Sequence, residues 1–205
     1  MTEHIFSKYN RVEIIRSKYY YADCDVLKNK LGVKDEAKLT ALEEDLTNQR
    51  LAELVQNPLK GRFGIAHLKK THKYIFQDIY PFAGKLREED IWKGDTFFLK
   101  CQFIQSRLEE VLDKLKVHNY LIKLDVAEFS KHAAYYMAEL NMIHPFREGN
   151  GRAIREFIRC LALRAGYIIN WALTNSKELL NASILSVDKI YEPLANCTYG
   201  AIENK

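Results

Sequence analysis

Residues 144–155, HPFREGNGRAIR, bring a histidine, a carboxylate, two glycines around an asparagine and two arginines into twelve positions. Pro145 disfavours helical geometry at His144, so a preceding helix stops there and presents the imidazole at the start of a loop. Gly149-Asn150-Gly151 leads into the next helix, where backbone N–H groups form a nest of positive potential suited to phosphate oxygens. Arg152 falls in the first turn and Arg155 three residues on, on the same side. Cations there oppose the helix dipole at a cost of about 0.3–1 kcal/mol each. An anion therefore explains the pair better than helix stability does, and guanidinium groups match phosphate bidentately. Glu148 beside that anion is repulsive unless a cation intervenes, and Mg²⁺ shared between a carboxylate and phosphate oxygens resolves the conflict. His144, with an ordinary pKa near ~6.5, can deprotonate a hydroxyl at neutral pH. The set reads as transfer of a phosphorus-containing group from a nucleotide to an alcohol or phenol. Phe146, apolar between polar neighbours, is expected to plug into the core and anchor the loop.

Helices must position these groups, and helical periodicity dominates the chain. Leu39, Leu42, Leu46, Leu54 and Val55 approximate one stripe; Ile65, Leu68, His72, Ile75, Phe76 and Ile79 form a second. Ile104, Leu108, Val111, Leu112 and Leu115 mark a third. Asp125 and Glu128 have capping-box spacing before a helix through Phe129, Ala133, Tyr136, Met137 and Leu140. The helix after Gly151 faces Ile154, Phe157, Ile158, Leu161 and Ala165 inward, with Gly166 at its C-terminal cap. Two more helices are predicted near 176–187 and 190–203, with Pro193 in an early turn. Residues 84–100 break the pattern: short extended runs flank Lys93-Gly94-Asp95, which predicts a β-hairpin with a tight turn. Residues 1–30 read as an irregular, tyrosine-rich arm. The fold class is therefore mainly α with one small hairpin.

Composition narrows the function. A chain of 205 residues with 47% hydrophobic content is most simply one domain with a proper core. The net charge of +4 is spread among 27 acids, so direct nucleic-acid binding is not expected. Cys24, Cys101, Cys160 and Cys197 make no C-x-x-C pair, which removes the usual zinc-knuckle and redox motifs. No apolar run is long enough to span a bilayer, so a reduced cytoplasmic location without membrane contact is the expectation. No G-x-x-x-x-G-K-[ST] occurs, which excludes a P-loop. His67 and His72 lie five apart, not the four that faces two ligands together, and are expected in the core or on the surface.

The stretch 144–155 resembles the signature of the Fic (cell filamentation) family, H-P-F-x-[D/E]-G-N-G-R-x-x-R, at every specified position. The resemblance runs from about residue 25 to 195 and includes LKNKLGVKD, HLKKTHKYIFQDIYPFAGKLREEDI and HAAYYMAELN; it is strongest to short bacterial toxins. It implies a single Fic domain over 1–205, a bundle of about seven or eight helices with a hairpin flap at 84–100. It further implies a protein adenylyltransferase that moves AMP from ATP to a hydroxyl of another protein. By resemblance His144 is the base, Glu148 holds Mg²⁺, and residues 149–151 with the Asn150 side chain cradle the phosphates. Arg152 and Arg155 grip the outer ones. The flap docks an extended target segment by strand addition. Its docking residues would be Leu86, Arg87, Glu88, Glu89, Asp90, Ile91 and Trp92 on one run and Phe97 and Phe98 on the other. By analogy with the short toxins, the targets are GyrB- or ParE-type topoisomerase subunits.

Family members are commonly silenced by a helix bearing [S/T]-x-x-x-E-[G/N], whose glutamate pairs with the second arginine, here Arg155. TALEED offers Thr40 and Glu44 but has Asp45 in the last place; YGAIEN offers Glu203 and Asn204 but has Tyr199 in the first. Both read as chance matches, which points to a separate small antitoxin carrying that helix. Two rival readings stand beside this one: a transferase of the same scaffold using another donor, and a non-catalytic basic module built on RAIREFIRCLALR. The second leaves His144 and Glu148 without a purpose.

Overall fold

A computed structural model describes residues 17–94 and 96–204. Its elements, in order, are α1 (Glu36–Gln56), α2 (Ile65–Phe76), β1 (Trp92–Lys93), β2 (Thr96–Phe97), α3 (Ile104–Val117), α4 (Val126–Ile143), α5 (Asn150–Ala165), α6 (Ser176–Leu185) and α7 (Glu192–Ala201). The expected mainly helical class with one hairpin is therefore observed, with seven α-helices among the described residues.

Local chemistry accounts for the helix ends. Asp35 caps α1 by accepting from the Lys38 N–H at 2.7 Å, and Asp125 caps α4 by accepting from the Glu128 N–H at 2.9 Å. The reciprocal half of the expected capping box is diverted, since Glu128 pairs with Lys131. Gly166 ends α5 at φ +95°, a conformation that glycine adopts without strain.

The core has two principal lobes. The larger is built from α3, α4, α5, α6 and α7, with Phe129, Tyr136, Leu140, Phe157 and Leu161 fully buried; the smaller joins the arm, α1 and α2 around Leu54, Phe76, Ile79 and Tyr80. α2 contributes Leu68 to the first and Ile75 and Phe76 to the second. α4, buried on most of its circumference, is the central post.

Two sequence expectations need correction here. The face that α1 buries is Leu39, Glu43, Thr47 and Leu54, while Val55 is exposed and Leu42 and Leu46 are half-buried. Apolar periodicity could not select a glutamate as an inward residue; its partner on α5 makes it one. The hairpin is also shorter than 84–100. Its strands are two residues each, in antiparallel register Trp92↔Phe97 and Lys93↔Thr96, with Gly94 in the turn at φ +56°. The predicted arm is irregular over its described part, residues 17–30, apart from a bridge between Tyr20 and Leu27; residues 1–16 lie outside the described residues. Among the described residues no helix is long and apolar enough to cross a membrane.

Candidate active site

The candidate site lies at the α4–α5 junction. α4 ends at Ile143, and His144 caps it in the left-handed region at φ 47° and ψ 61°. Its ring stacks on Phe98 with centroids 3.8 Å apart. Nδ1 lies 3.1 Å from the Asn141 carbonyl oxygen. A carbonyl only accepts, so Nδ1 bears the proton and Nε2 is left with its lone pair. Burial pushes the imidazole down to about 4, with Asn141 and Glu148 opposing, so it is neutral at physiological pH.

Past Pro145 the loop is pinned from below. Phe146 is fully buried and stacks on His72 at 3.8 Å, as its expected anchoring role requires. His72 Nδ1 accepts from the Gly84 N–H at 2.8 Å, so Nε2 is the donor to the Glu148 carbonyl, also at 2.8 Å. Sequence reading placed His72 on a buried face but could not see that it holds the carboxylate-bearing residue by its backbone. Gly149 then turns at φ +78°, and a Cβ there would sit 2.1 Å from Phe76 Cζ, so only glycine fits.

His144, Glu148, Gly149, Asn150, Gly151, Arg152 and Arg155 all border one cavity of about 190 Å³. It is continuous in its lining residues with a larger one of about 1000 Å³ that also borders on Leu51, Trp171, Leu179 and Glu203. The start of α5 aims its first N–H groups there. Glu148 presents its carboxylate, with Oε1 accepting from the Gly149 N–H at 3.0 Å. Among the described residues no three His, Cys, Asp or Glu converge as a metal cluster. A hard divalent cation with most of its oxygens from phosphate and water suits a single carboxylate of this kind.

The arginines divide. Arg155 is tucked against the first turn of α5, where burial and the neighbouring Arg152 pull its guanidinium below the ordinary value. Among the described residues it has no ion pair. Arg152 is engaged: Nη2 donates to Glu43, Nη1 donates to Thr47 Oγ1 at 3.1 Å, and Cζ lies 4.8 Å over the Phe76 ring. The Tyr80 hydroxyl donates to the same buried Glu43 carboxylate, and burial and that charge raise the phenol well above its usual range. Arg152 is therefore held at the cavity wall by α1. Asn150 is engaged too. Its amide accepts from the Phe146 N–H at 2.8 Å and donates to the Phe146 carbonyl at 2.7 Å, so the side chain locks the loop.

The flap residues sort differently from the expected docking surface. Arg87 has no exposed side-chain surface. It donates from Nε to the His144 carbonyl at 2.8 Å, from Nη1 to Glu89 at 2.6 Å, and from Nη2 to Leu99 and to Ile143. Ile91 and Phe98 are buried against each other, and Leu86, half-buried, packs on the main core. Asp90 accepts from the Cys101 N–H at 2.6 Å, closing the flap's base. Glu88 pairs with Lys18, and Glu89 accepts from Ser17 Oγ and the Lys18 N–H, which ties the flap to the arm. The arm also covers Arg147, whose Nη2 donates to the Tyr20 hydroxyl at 3.0 Å. Of the aromatic flap residues, Trp92 is half-buried and stacks beside the exposed Phe97.

Glu203 and Asn204 lie just past α7, not on it. Asn204 accepts from the Ile168 N–H and donates to the Gly166 carbonyl, fastening the tail to the end of α5. Glu203 borders the large cavity and accepts from Asn170 at 2.9 Å; among the described residues it makes no ion pair with Arg155.

The Fic/DOC family model matches residues 62–162. The protein adenylyltransferase VbhT of Bartonella schoenbuchensis is 43% identical over 168 residues, which is 82% of this chain and 35% of VbhT. The chain thus spans about a third of that relative. The probable protein adenylyltransferase Fic of Escherichia coli K12 is 36% identical over 156 residues, 76% of this chain and 77% of that protein. Among solved structures, the ADP-bound N-terminal Fic domain of a VirB-translocated Bep effector from Bartonella quintana superposes with a TM-score of 0.84 at 27% identity. That superposition covers 90% of this chain and 94% of the effector domain.

Proposed function

Because the chain belongs to the Fic/DOC family, we propose that it is a protein adenylyltransferase, moving AMP from ATP to a hydroxyl side chain of a target protein. One observation carries the reading: an imidazole protonated on Nδ1, a glycine-turn helix start, a carboxylate and an arginine without an ion pair among the described residues border the same small cavity. Relatives named as adenylyltransferases and a similar domain holding ADP support it.

In this mechanism the target hydroxyl approaches the α-phosphate between His144 and the start of α5. Its oxygen bonds to the α-phosphorus as the proton passes to His144 Nε2. The bond from that phosphorus to the bridging oxygen breaks, and diphosphate leaves with the electron pair. The backbone N–H groups of 149–151 would meet the phosphate oxygens and Arg155 the outer phosphates. Glu148 would hold Mg²⁺, which neutralises charge on the donor. Trp92 and Phe97 form the exposed face of the flap against which an extended target segment would lie.

The strong resemblance to short bacterial toxins extends the proposal to a cytoplasmic enzyme acting on GyrB- or ParE-type topoisomerase subunits. It would be restrained by a separate antitoxin whose helix brings a glutamate to Arg155 through the large cavity. The test is incubation with Mg²⁺ and ATP labelled at the α- or the γ-phosphate in bacterial lysate, beside His144→Ala. Label from the α position alone, absent with the variant, is expected, and the labelled band identifies the target. Label from the γ position would replace adenylyl transfer with phosphoryl transfer.

A further inference from the structure

Free positive charge is scarce around the small cavity. Arg152 is matched by Glu43, and Arg159 at the edge of the larger cavity is matched by Glu156 at 2.7 Å. Glu148 adds negative charge. Of the two arginines at the start of α5, Arg155 is the one with no ion pair within the described residues, yet a nucleoside triphosphate brings several negative charges. A single lining residue of the small cavity comes from outside the stretch 144–155, and it is a lysine: Lys93.

Lys93 ends β1, opposite Thr96 and next to the Gly94 turn. Strand alternation puts it on the opposite face from Trp92, whose ring stacks with Phe97 on the outward side. It borders both cavities, it is exposed, and it makes no ion pair among the described residues. Its charge already reaches His144, where it disfavours the imidazolium.

We propose that Lys93 is a nucleotide-contacting residue of the transfer reaction, its ammonium meeting the β- and γ-phosphates from the flap side. The proposal rests on the adenylyl-transfer reading. As the bond from the α-phosphorus to the bridging oxygen breaks, the electron pair and a new negative charge go to diphosphate. A cation there stabilises the transition state more than the bound donor. An ammonium on a flexible stem can follow the departing oxygens, whereas Arg155 is held against α5. The flap then has two working faces, aromatic for the target and cationic for the donor.

The test uses the full chain with Lys93→Met, Lys93→Arg and Phe97→Ala. Binding of the non-hydrolysable AMPPNP with Mg²⁺ is measured by calorimetry in the His144→Ala background, and KM and kcat are measured in the active one. Lys93→Met is expected to weaken AMPPNP binding by about 10-fold and to lower kcat/KM for ATP further, because part of the contact is made only in the transition state. Lys93→Arg should restore most of the binding. Phe97→Ala should leave AMPPNP binding unchanged while raising KM for the target. Unaltered AMPPNP binding and ATP kinetics in Lys93→Met, with any loss confined to target KM, would overturn the proposal alone. No AMPPNP binding by the parent would overturn the adenylyl-transfer reading and this proposal with it.

Discussion

Glu43 and Arg152 set the electrostatics of the cavity although they come from helices that are far apart in sequence. The carboxylate is 4% exposed and serves both the guanidinium and the Tyr80 hydroxyl. Replacing Glu43 with Ala takes the buried carboxylate away from the partly exposed Arg152 cation and the buried Tyr80 phenol. A loss of about 3–5 kcal/mol in urea denaturation is expected. In the double variant with Arg152→Met the two losses should fall short of their sum by at least about 1 kcal/mol; additive losses would sink the pairing. Gly149 makes a second residue-scale case. Alanine there meets both a positive φ and the Phe76 ring, so Gly149→Ala should cost about 2–4 kcal/mol and remove nucleotide binding, read by a denaturation curve and calorimetry on one preparation. Which residues gather at the candidate site was legible because residue type and order carry that information: His144, Glu148 and Arg155 border one cavity. Glu43 was not legible. A glutamate inside an amphipathic helix looks like its solvated face until the arginine it meets, 109 positions away, is known.

Between elements, the decisive joint is the one tying the flap to the end of α4. Arg87 links the carbonyls of Glu89 and Leu99, at the two sides of the hairpin, to those of Ile143 and His144. Its own N–H donates to the Pro145 carbonyl at 2.9 Å, and the Leu99 N–H donates to Met142 at 3.2 Å. A two-residue hairpin is marginal alone, so its position over His144 depends on this clasp. Lysine keeps the charge but cannot fork to four carbonyls. Arg87→Lys should therefore lose about 2–4 kcal/mol of stability and at least tenfold in kcat, while Trp92→Ala leaves stability within about 0.5 kcal/mol and changes KM for the target. Equal kcat in Arg87→Lys and parent would show that the flap is held by other means. The helices themselves were legible where one face packs on apolar neighbours, as in α3 and α5. The flap was legible as a turn at Gly94 but not as an assignment of faces. Alternation along so short a strand does not say that Arg87, Ile91 and Phe98 belong inside.

Across the whole molecule, the two lobes of the core meet at His72, which stacks between Phe76 and Phe146 and links Gly84 to the Glu148 backbone. Burial holds its imidazole down to about 4, only partly offset by the Glu148 carbonyl and charge. A second proton would have to replace the lone pair that accepts from Gly84. The sign follows: the unfolded chain, with histidine near ~6.5, binds this proton more readily than the native one does. Stability is then full above about pH 6.5 and declines as pH falls toward 4, by up to about 3 kcal/mol from this group. His144, held down to the same range, acts with the same sign, so the measurement belongs in a His144→Ala background. Urea denaturation at steps from pH 7.5 to 4.5 should give a steeper loss with His72 present than with His72→Gln, whose amide can still donate and accept. If both lose stability in parallel, the acid sensitivity lies elsewhere. A steeper loss with histidine would mean that the contact steadying Glu148 also governs the acid limit of the fold, so the loop that would hold the metal and the joint between the lobes fail together.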